Sequence, residues 1–350
     1  MKSIRIDTIE TERGEITTYE LINASGASVK LSSLGAGILE IKVPDRDGNL
    51  ADVVLGYKNL TDYFYDGPCA GKVPGRYANR ICKGHLDIDG KVYQLNINNG
   101  PNHLHGGPEN FACKIWECEM DGDTVVFSLE SPDGDENYPG NLTARIAYTW
   151  SDDNVLRMVL GAVTDAPTVV NLTNHTYFNM AGHDKLGTAL NQVLQLNCSR
   201  YLPTDDTLIP TGEMATVGDT PMDFTQPKVV GQDIRQDFPA LNYGKGYDNC
   251  WVIDGYEDGD VRVAAVLCDQ VSGRVVEVST DQPAVQVYTG NWLEGCPMGK
   301  GGKRYRDYDG VAIECQGMPD APNHAHFPSQ LLRPDGEYRR TIIFDFKVKE

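Results

Sequence analysis

No uninterrupted apolar stretch in this chain is long enough to span a bilayer, which excludes a helical membrane anchor within it. The first residues, Met1-Lys2-Ser3-Ile4-Arg5-Ile6-Asp7, have no apolar run of the length that a secretory signal needs. Positive charge is also short: 31 Lys and Arg stand against 50 Asp and Glu, a formal net charge of −19. Such a surface repels nucleic acid and anionic membrane, so neither is expected as a partner. Close cysteine pairs are missing as well. The nine cysteines are scattered with no Cys-x-x-Cys, an odd count that reads as reduced thiols in the cytoplasm. The Asn-x-Ser/Thr triplets at Asn23, Asn59, Asn141, Asn171, Asn174 and Asn197 are then chance matches.

Helical patterning is scarce. Only residues 59–63 and 329–332 suit a turn or so of helix, and no longer stretch keeps a clean helical stripe. Linkers, low-complexity tracts and fixed-period repeats are absent too, which leaves no place to cut the chain. No strained Ser or Cys elbow, phosphate loop or convincing metal set is found.

What the chain has instead is strands. Period-two alternation predicts them over 124–129, 142–150, 155–163, 262–267, 275–280, 284–289 and 340–348. Asp-Gly pairs at Asp47-Gly48, Asp89-Gly90, Asp121-Gly122, Asp133-Gly134 and Asp254-Gly255 predict turns between strands. The expectation is one all-β domain, residues 1–350, built of large antiparallel sheets packed face to face.

Against this background five stretches stand out. In Val169-Val170-Asn171-Leu172-Thr173-Asn174-His175-Thr176-Tyr177-Phe178-Asn179-Met180 there is no charged residue, Gly or Pro. It sets His175 among neutral hydrogen-bonding groups, which suits a strand running into a packed turn that faces a cavity. An imidazole there can give and take a proton near neutrality. The commoner fate of a lone buried histidine is to be held by neighbouring amides.

Gly75-Arg76-Tyr77-Ala78-Asn79-Arg80-Ile81 offers in Arg80 a planar fork of donors, for hydroxyl oxygens or for a structural carboxylate. Asn98-Asn99-Gly100-Pro101-Asn102-His103-Leu104-His105-Gly106-Gly107 sets two histidines at i and i+2, on one face if the backbone is extended. With no third ligand at a recognisable spacing, a neutral hydrogen-bonding role fits this pair better than a metal. The glycines after His105 allow a ligand or another backbone to come close. Gly246-Tyr247-Asp248-Asn249-Cys250-Trp251 places a carboxylate between aromatics, which suits a sugar, although such a motif in isolation is more often an ordinary turn before a strand. In Val311-Ala312-Ile313-Glu314-Cys315-Gln316-Gly317-Met318-Pro319-Asp320-Ala321-Pro322-Asn323, Glu314 follows three apolar residues on what reads as a buried strand. A carboxylate is seldom buried without use. One imidazole and one carboxylate in unusual surroundings, with no anion loop, point to acid–base chemistry on a neutral polyhydroxylated substrate.

These motifs, with Gln282-Pro283-Ala284-Val285-Gln286-Val287-Tyr288-Thr289-Gly290-Asn291, resemble the aldose 1-epimerase (galactose mutarotase) family in the same order along nearly the whole chain. The resemblance implies a single β-supersandwich and interconversion of the α and β anomers of free hexoses such as galactose and glucose. It makes Glu314 the general base and His175 the general acid, with Asn79, Arg80, His105, Tyr177, Asp248 and Gln286 as sugar contacts. No cofactor and no metal are required, and a cytoplasmic monomer acting on a small aldose is expected. The implied cycle takes the proton from the anomeric hydroxyl, gives one to the ring oxygen, opens C1–O5, rotates about C1–C2 and recloses. Two departures stand out. Tyr77 replaces a small aliphatic residue, and Cys315 with Gly317-Met318 replaces a Thr and a bulkier pair at what is expected to be the pocket wall. The alternatives are a hexose-6-phosphate 1-epimerase, which would use Arg76 with Arg80 or the basic run Lys300, Lys303, Arg304 and Arg306, and a non-catalytic sugar-binding module. A polysaccharide lyase of related architecture is a further one.

Overall fold

Alternating burial explains most of the strands. Along Leu142–Trp150 every second side chain is buried, from Leu142 through Ala144, Ile146 and Tyr148 to Trp150. The structure, a computed structural model, describes residues 3–349. Its strands form three larger sheets and three two-stranded ribbons, and all named pairings are antiparallel.

A five-stranded meander runs Ser3–Thr11, Gly14–Ile22, Ser28–Ser32, Gly37–Pro44 and Leu50–Asp52. A nine-stranded sheet runs from Glu117–Asp121 through Val155–Thr164 and Tyr338–Val348 to Lys228–Val229, so the C-terminal strand lies in its centre. The six-stranded sheet is ordered Tyr177–Phe178, Val311–Gln316, Ala284–Tyr288, Asp248–Val252, Arg200–Tyr201 and Ala215–Thr216. One apolar cluster joins all three: Leu21, Val29 and Ile41 from the meander, Ile146, Met158 and Phe344 from the largest sheet, Val285, Val287 and Ile313 from the third. This is the sheet-on-sheet β-sandwich that the alternation predicts.

All seven expected strands are present, with ends moved by one or two residues. Residues 59–63 give the 3-10 turn Leu60–Phe64. Residues 329–332 are not helical: Leu331–Leu332 pairs with Thr168–Val169, because four residues after Pro328 cannot meet the cost of nucleating a helix and an open strand is beside them. The one α-helix among the described residues, Pro239–Gly244, was not expected from the pattern. Asp133-Gly134 leads into the 3-10 turn Asp135–Asn137 rather than a tight hairpin, and Asp254-Gly255 joins strands of two different sheets. Among the described residues no helix is long and apolar enough to cross a membrane.

The six-stranded sheet positions the site. All six residues of Val311–Gln316 are buried, but on two sides. Val311, Ile313 and Cys315 join the main core, and Ala312 packs with Leu55 and Tyr177 on the opposite face. Glu314 shares that second face, since side chains alternate along a strand. Across the ladder Gln286 pairs with Glu314, and Asp248 with Tyr288.

Candidate active site

The second face of this sheet floors a cavity of about 730 Å³. Glu314, Tyr177, Tyr288 and Asp248 come from its strands. His175 enters from the segment before Tyr177–Phe178. Its N–H donates to Lys72 O at 2.9 Å, and its carbonyl accepts Gly71 N–H at 2.9 Å. Asn174 Nδ2 donates to Gly71 O at 2.8 Å, while Asn171 binds Ala78 O and accepts Gly317 N–H. The uncharged amides of this stretch thus splint residues 71–78 against the Glu314 strand, and His175 is left facing the cavity.

Asn79, Arg80 and His105 form the opposite wall. Arg80 belongs to the ribbon Arg80–Ile81 with His103–Leu104, and Asn79 and His105 flank its strands. Arg80 is tied by Nε to Asn99 Oδ1 at 3.1 Å, and its Nη2 lies 3.9 Å from Asp248 Oδ2. Gly106 has φ +92°, and a Cβ there would meet Gly75 O at 1.9 Å, so the glycine serves a close backbone approach.

The two titratable groups meet at the floor. His175 Nε2 lies 3.5 Å from Glu314 Oε1, and both side chains are almost wholly buried. Burial holds the Glu314 carboxyl well above the usual carboxylate range; the Asp248 charge adds to this and Arg80 opposes it. Burial pushes the His175 imidazole down to about 4; a backbone hydrogen bond opposes the shift and the Lys72 charge supports it. Glu314 Oε2 and His175 Nδ1 have no hydrogen-bond partner. Two buried titratable groups with shifts of opposite sign in one cavity mark a candidate acid–base site.

Seven of the eight residues singled out from the sequence line this cavity: Glu314, His175, Asn79, Arg80, His105, Tyr177 and Asp248. Gln286 stands behind the wall, where Nε2 donates to Asp248 Oδ1 at 2.6 Å. Tyr177 gives its hydroxyl to Pro68 O at 3.0 Å and lays its ring against His175, centroids 4.9 Å apart. The expectation that His103 and His105 share a face is overturned. His105 has φ +55°, which breaks the extended geometry that the argument needs. His103 is turned into the protein, its nitrogens 2.5 Å from Asn96 O and 2.6 Å from Tyr138 Oη. The expected pocket-wall role of Cys315 and Gly317-Met318 also fails. Cys315 is on the core face of its strand, Met318 packs with Leu202 and Phe327, and Gly317 abuts Gln330. Tyr77 is buried, donating its hydroxyl to Met318 O and accepting Ala321 N–H, so it pins the loop after Glu314.

Sequence reasoning missed the site roles of Asn99, Tyr288 and the rim formed by Asp206, Thr207, Leu208, Tyr243 and Trp292. Tyr288 was within reach of the pattern, since it stands two residues along the strand from Gln286. The rim loops carry no such signal. Arg76 does not reach the cavity: its guanidinium is buried on Ser131 O, Pro132 O and Pro139 O. Lys300 is held elsewhere by Asp52 and Leu39 O.

Comparison with known proteins agrees with this geometry. A family profile described as aldose 1-epimerase matches residues 17–345. The chain is 42% identical over 335 residues to a galactose mutarotase of Bos taurus, covering 96% of this chain and 95% of that one. It is 43% identical over 320 residues to a galactose mutarotase of Homo sapiens, with 91% of each covered. Among solved structures, an aldose epimerase homologue from C. elegans superposes with a TM-score of 0.87 at 30% identity, covering 99% of this chain and 100% of that one. The chain belongs to the aldose 1-epimerase family.

Proposed function

We propose that Glu314 is the general base and His175 the general acid of aldose 1-epimerisation in this chain. The observation that carries the reading is the 3.5 Å pair at the cavity floor with opposite pKa shifts. A carboxylate whose pKa is raised is a stronger base, and an imidazolium whose pKa is lowered is a stronger acid. Both shifts therefore drive the forward transfers. Glu314 takes the anomeric hydroxyl proton and becomes neutral, His175 gives its proton to the ring oxygen and becomes neutral, and C1–O5 opens. Burial of both side chains favours that neutral pair, which persists while C1–C2 rotates. Reclosure on the other face returns both protons. Before and after, the pair holds one proton in total, so each turnover ends as it began.

Arg80, Asp248 and Asn79 line the wall where the sugar hydroxyls would lie, with Gln286 fixing Asp248. Free hexoses such as galactose and glucose suit this wall better than their phosphates. The charged lining is one arginine against Asp206, Asp248 and Glu314, with Arg76 and Lys300 engaged elsewhere. We further propose a single catalytic domain over residues 1–350, acting as a monomer in the cytoplasm. One core cluster reaching from Tyr19 to Phe346 supports the single domain, and nine unpaired cysteines support the reducing compartment. Polarimetry of freshly dissolved α-D-galactose and α-D-glucose tests the function. Catalysed relaxation of the rotation is expected, and a protein that binds these sugars without speeding it would be a binding module.

A further inference from the structure

His105, His175 and Glu314 each offer one ligand atom, and the three atoms lie within 4.8 Å of one another. That spacing suits a divalent cation. It equally suits the two oxygens that a cyclic aldose carries on C1, the anomeric hydroxyl towards Glu314 and the ring oxygen towards the two histidines. The second nitrogen of His105 decides between cation and sugar. His105 Nδ1 accepts the backbone N–H of Asn79 at 3.1 Å, and the backbone N–H of His105 donates back to Asn79 O at 3.0 Å. Both residues hold left-handed backbone, φ +63° at Asn79 and +55° at His105, and this turns amide and ring towards each other. The Asn79 side chain is occupied locally, its Oδ1 accepting Arg80 N–H at 2.8 Å.

A neutral imidazole that accepts at Nδ1 carries its proton on Nε2. Metal-bound histidines have the reverse arrangement, in which the free ring N–H donates to an acceptor and the ligating nitrogen is bare. To bind a metal through Nε2, His105 would need its proton on Nδ1, directed at another N–H. The same clash opposes the imidazolium form. The charged and titratable groups around His105 are His175 and Glu314 at the floor, Arg80 on the same wall and His103 on its own segment, and of these only an ionised Glu314 favours the imidazolium. Burial, His175, Arg80 and His103 all hold the ring well below the usual histidine range.

We propose that the Asn79 backbone amide is a positioning group that locks His105 as a neutral Nε2–H donor, aimed at the sugar oxygen that His175 protonates. The proposal rests on the acid–base reading of Glu314 and His175. As C1–O5 opens, negative charge grows on the ring oxygen before the His175 proton arrives. A donor that is fixed and does not titrate stabilises that charge without competing for the proton. The convergence at the floor is then an oxygen site and not a metal site.

Long-range proton–nitrogen correlation spectra of the full chain with ¹⁵N-histidine test the lock, with His105→Gln assigning the signal. The expected result is a single Nε2–H tautomer that does not titrate from about pH 5 to about pH 9 and does not respond to stoichiometric Zn²⁺. An Nδ1–H tautomer, a mid-range titration, or Zn²⁺ shifting His105 and His175 together while competing with sugar overturns the proposal. Kinetics supply the second arm. Asn79→Gly keeps the amide and the left-handed backbone and should keep the single Nε2–H tautomer of His105 in the spectra, even where loss of the Asn79 side chain raises KM, whereas Asn79→Val disfavours that backbone and should lower kcat and mix the His105 tautomers. His105→Leu should lose roughly 10²–10³-fold in kcat, the size of one missing donor, and His105→Gln distinctly less. Equal losses for Gln and Leu, or mixed His105 tautomers in Asn79→Gly, overturn it as well. If Glu314→Gln instead keeps full turnover, the acid–base reading fails while the spectra still report the tautomer on their own.

Discussion

On one side of the strands Asp248–Val252, Ala284–Tyr288 and Val311–Gln316, the side chains of Trp251, Val285, Val287, Val311 and Ile313 bury apolar surface against the two other sheets. On the other side of the same strands stand Asp248, Gln286 and Glu314, with Glu314 Oε2 and Gln286 Oε1 buried and unpartnered. The core side stabilises the fold by roughly 1.5–3 kcal/mol for each large side chain it buries. The cavity side works against stability, because a buried carboxylate is costly unless paired. The strands are common to both, so the core face holds the cavity face in a geometry that it would not adopt for its own sake. Stability and activity are thus assigned to alternate residues, and substitutions on the two sides should have opposite signatures.

The largest effect should come from the cavity side. Glu314→Gln keeps size and removes the base, so turnover should fall by about 10²–10⁴-fold with sugar binding largely kept. Unlike an ordinary buried substitution, it should leave the melting temperature unchanged or raise it by a few degrees, because a desolvated carboxyl is gone. His175→Asn should cost a similar factor, and the double variant far less than the product of the two, since they act as a unit. If Glu314→Gln turns over at the wild-type rate on every aldose accepted, Glu314 is not the base.

Ile313→Ala, one residue away on the core side, should show the inverse: a loss of about 2–5 kcal/mol in denaturant unfolding, with kcat per folded molecule changed little. A large loss of kcat at full occupancy of the native state would mean that the two faces are not separable. Asp248→Ala should raise KM and lower turnover, for a total loss of about 1.5–3 kcal/mol in transition-state stabilisation, because it removes a charged anchor. Unchanged kinetics on all aldoses would put Asp248 outside the site.

The pH profile sharpens the comparison further. The active pair holds one proton. Below about 4, where burial has placed His175, a second proton binds and the rate should drop. The alkaline fall should lie well above the usual carboxylate range, because burial makes Glu314 hold the last proton tightly. These limbs belong to the coupled pair. His175→Asn should abolish the alkaline limb and leave a fall on acidification, as Glu314 takes a proton. For stability the sign is as follows: the folded His175 takes its proton at about 4 and the unfolded one near 6.5, so its contribution is present above 6.5 and is lost as pH falls towards 4. The smallest effect should be that of exhaustive chelation, after which polarimetric activity is expected to persist; loss of activity restored by one divalent ion would revise the oxygen-site reading of the floor.

The strands, the all-β class and the identity of the two unusual titratable groups were legible in the sequence because they follow from local rules. Period-two alternation needs only neighbours, and a glutamate inside an apolar run is anomalous wherever it folds. What the sequence could not decide was which of two near neighbours faces the cavity. His103 and His105 look alike as letters, yet one satisfies Tyr138 and Asn96 and the other lines the site, because a single left-handed backbone angle turns them apart. Gln286 reads as a sugar contact and stands behind Asp248; Cys315 reads as pocket wall and lies in the core; Arg76 reads as a twin of Arg80 and is consumed by three carbonyls. The rim from Asp206 to Leu208 meets the floor only across a long loop. These outcomes depend on contacts between residues far apart in the chain, and only the packed sheets bring those residues together.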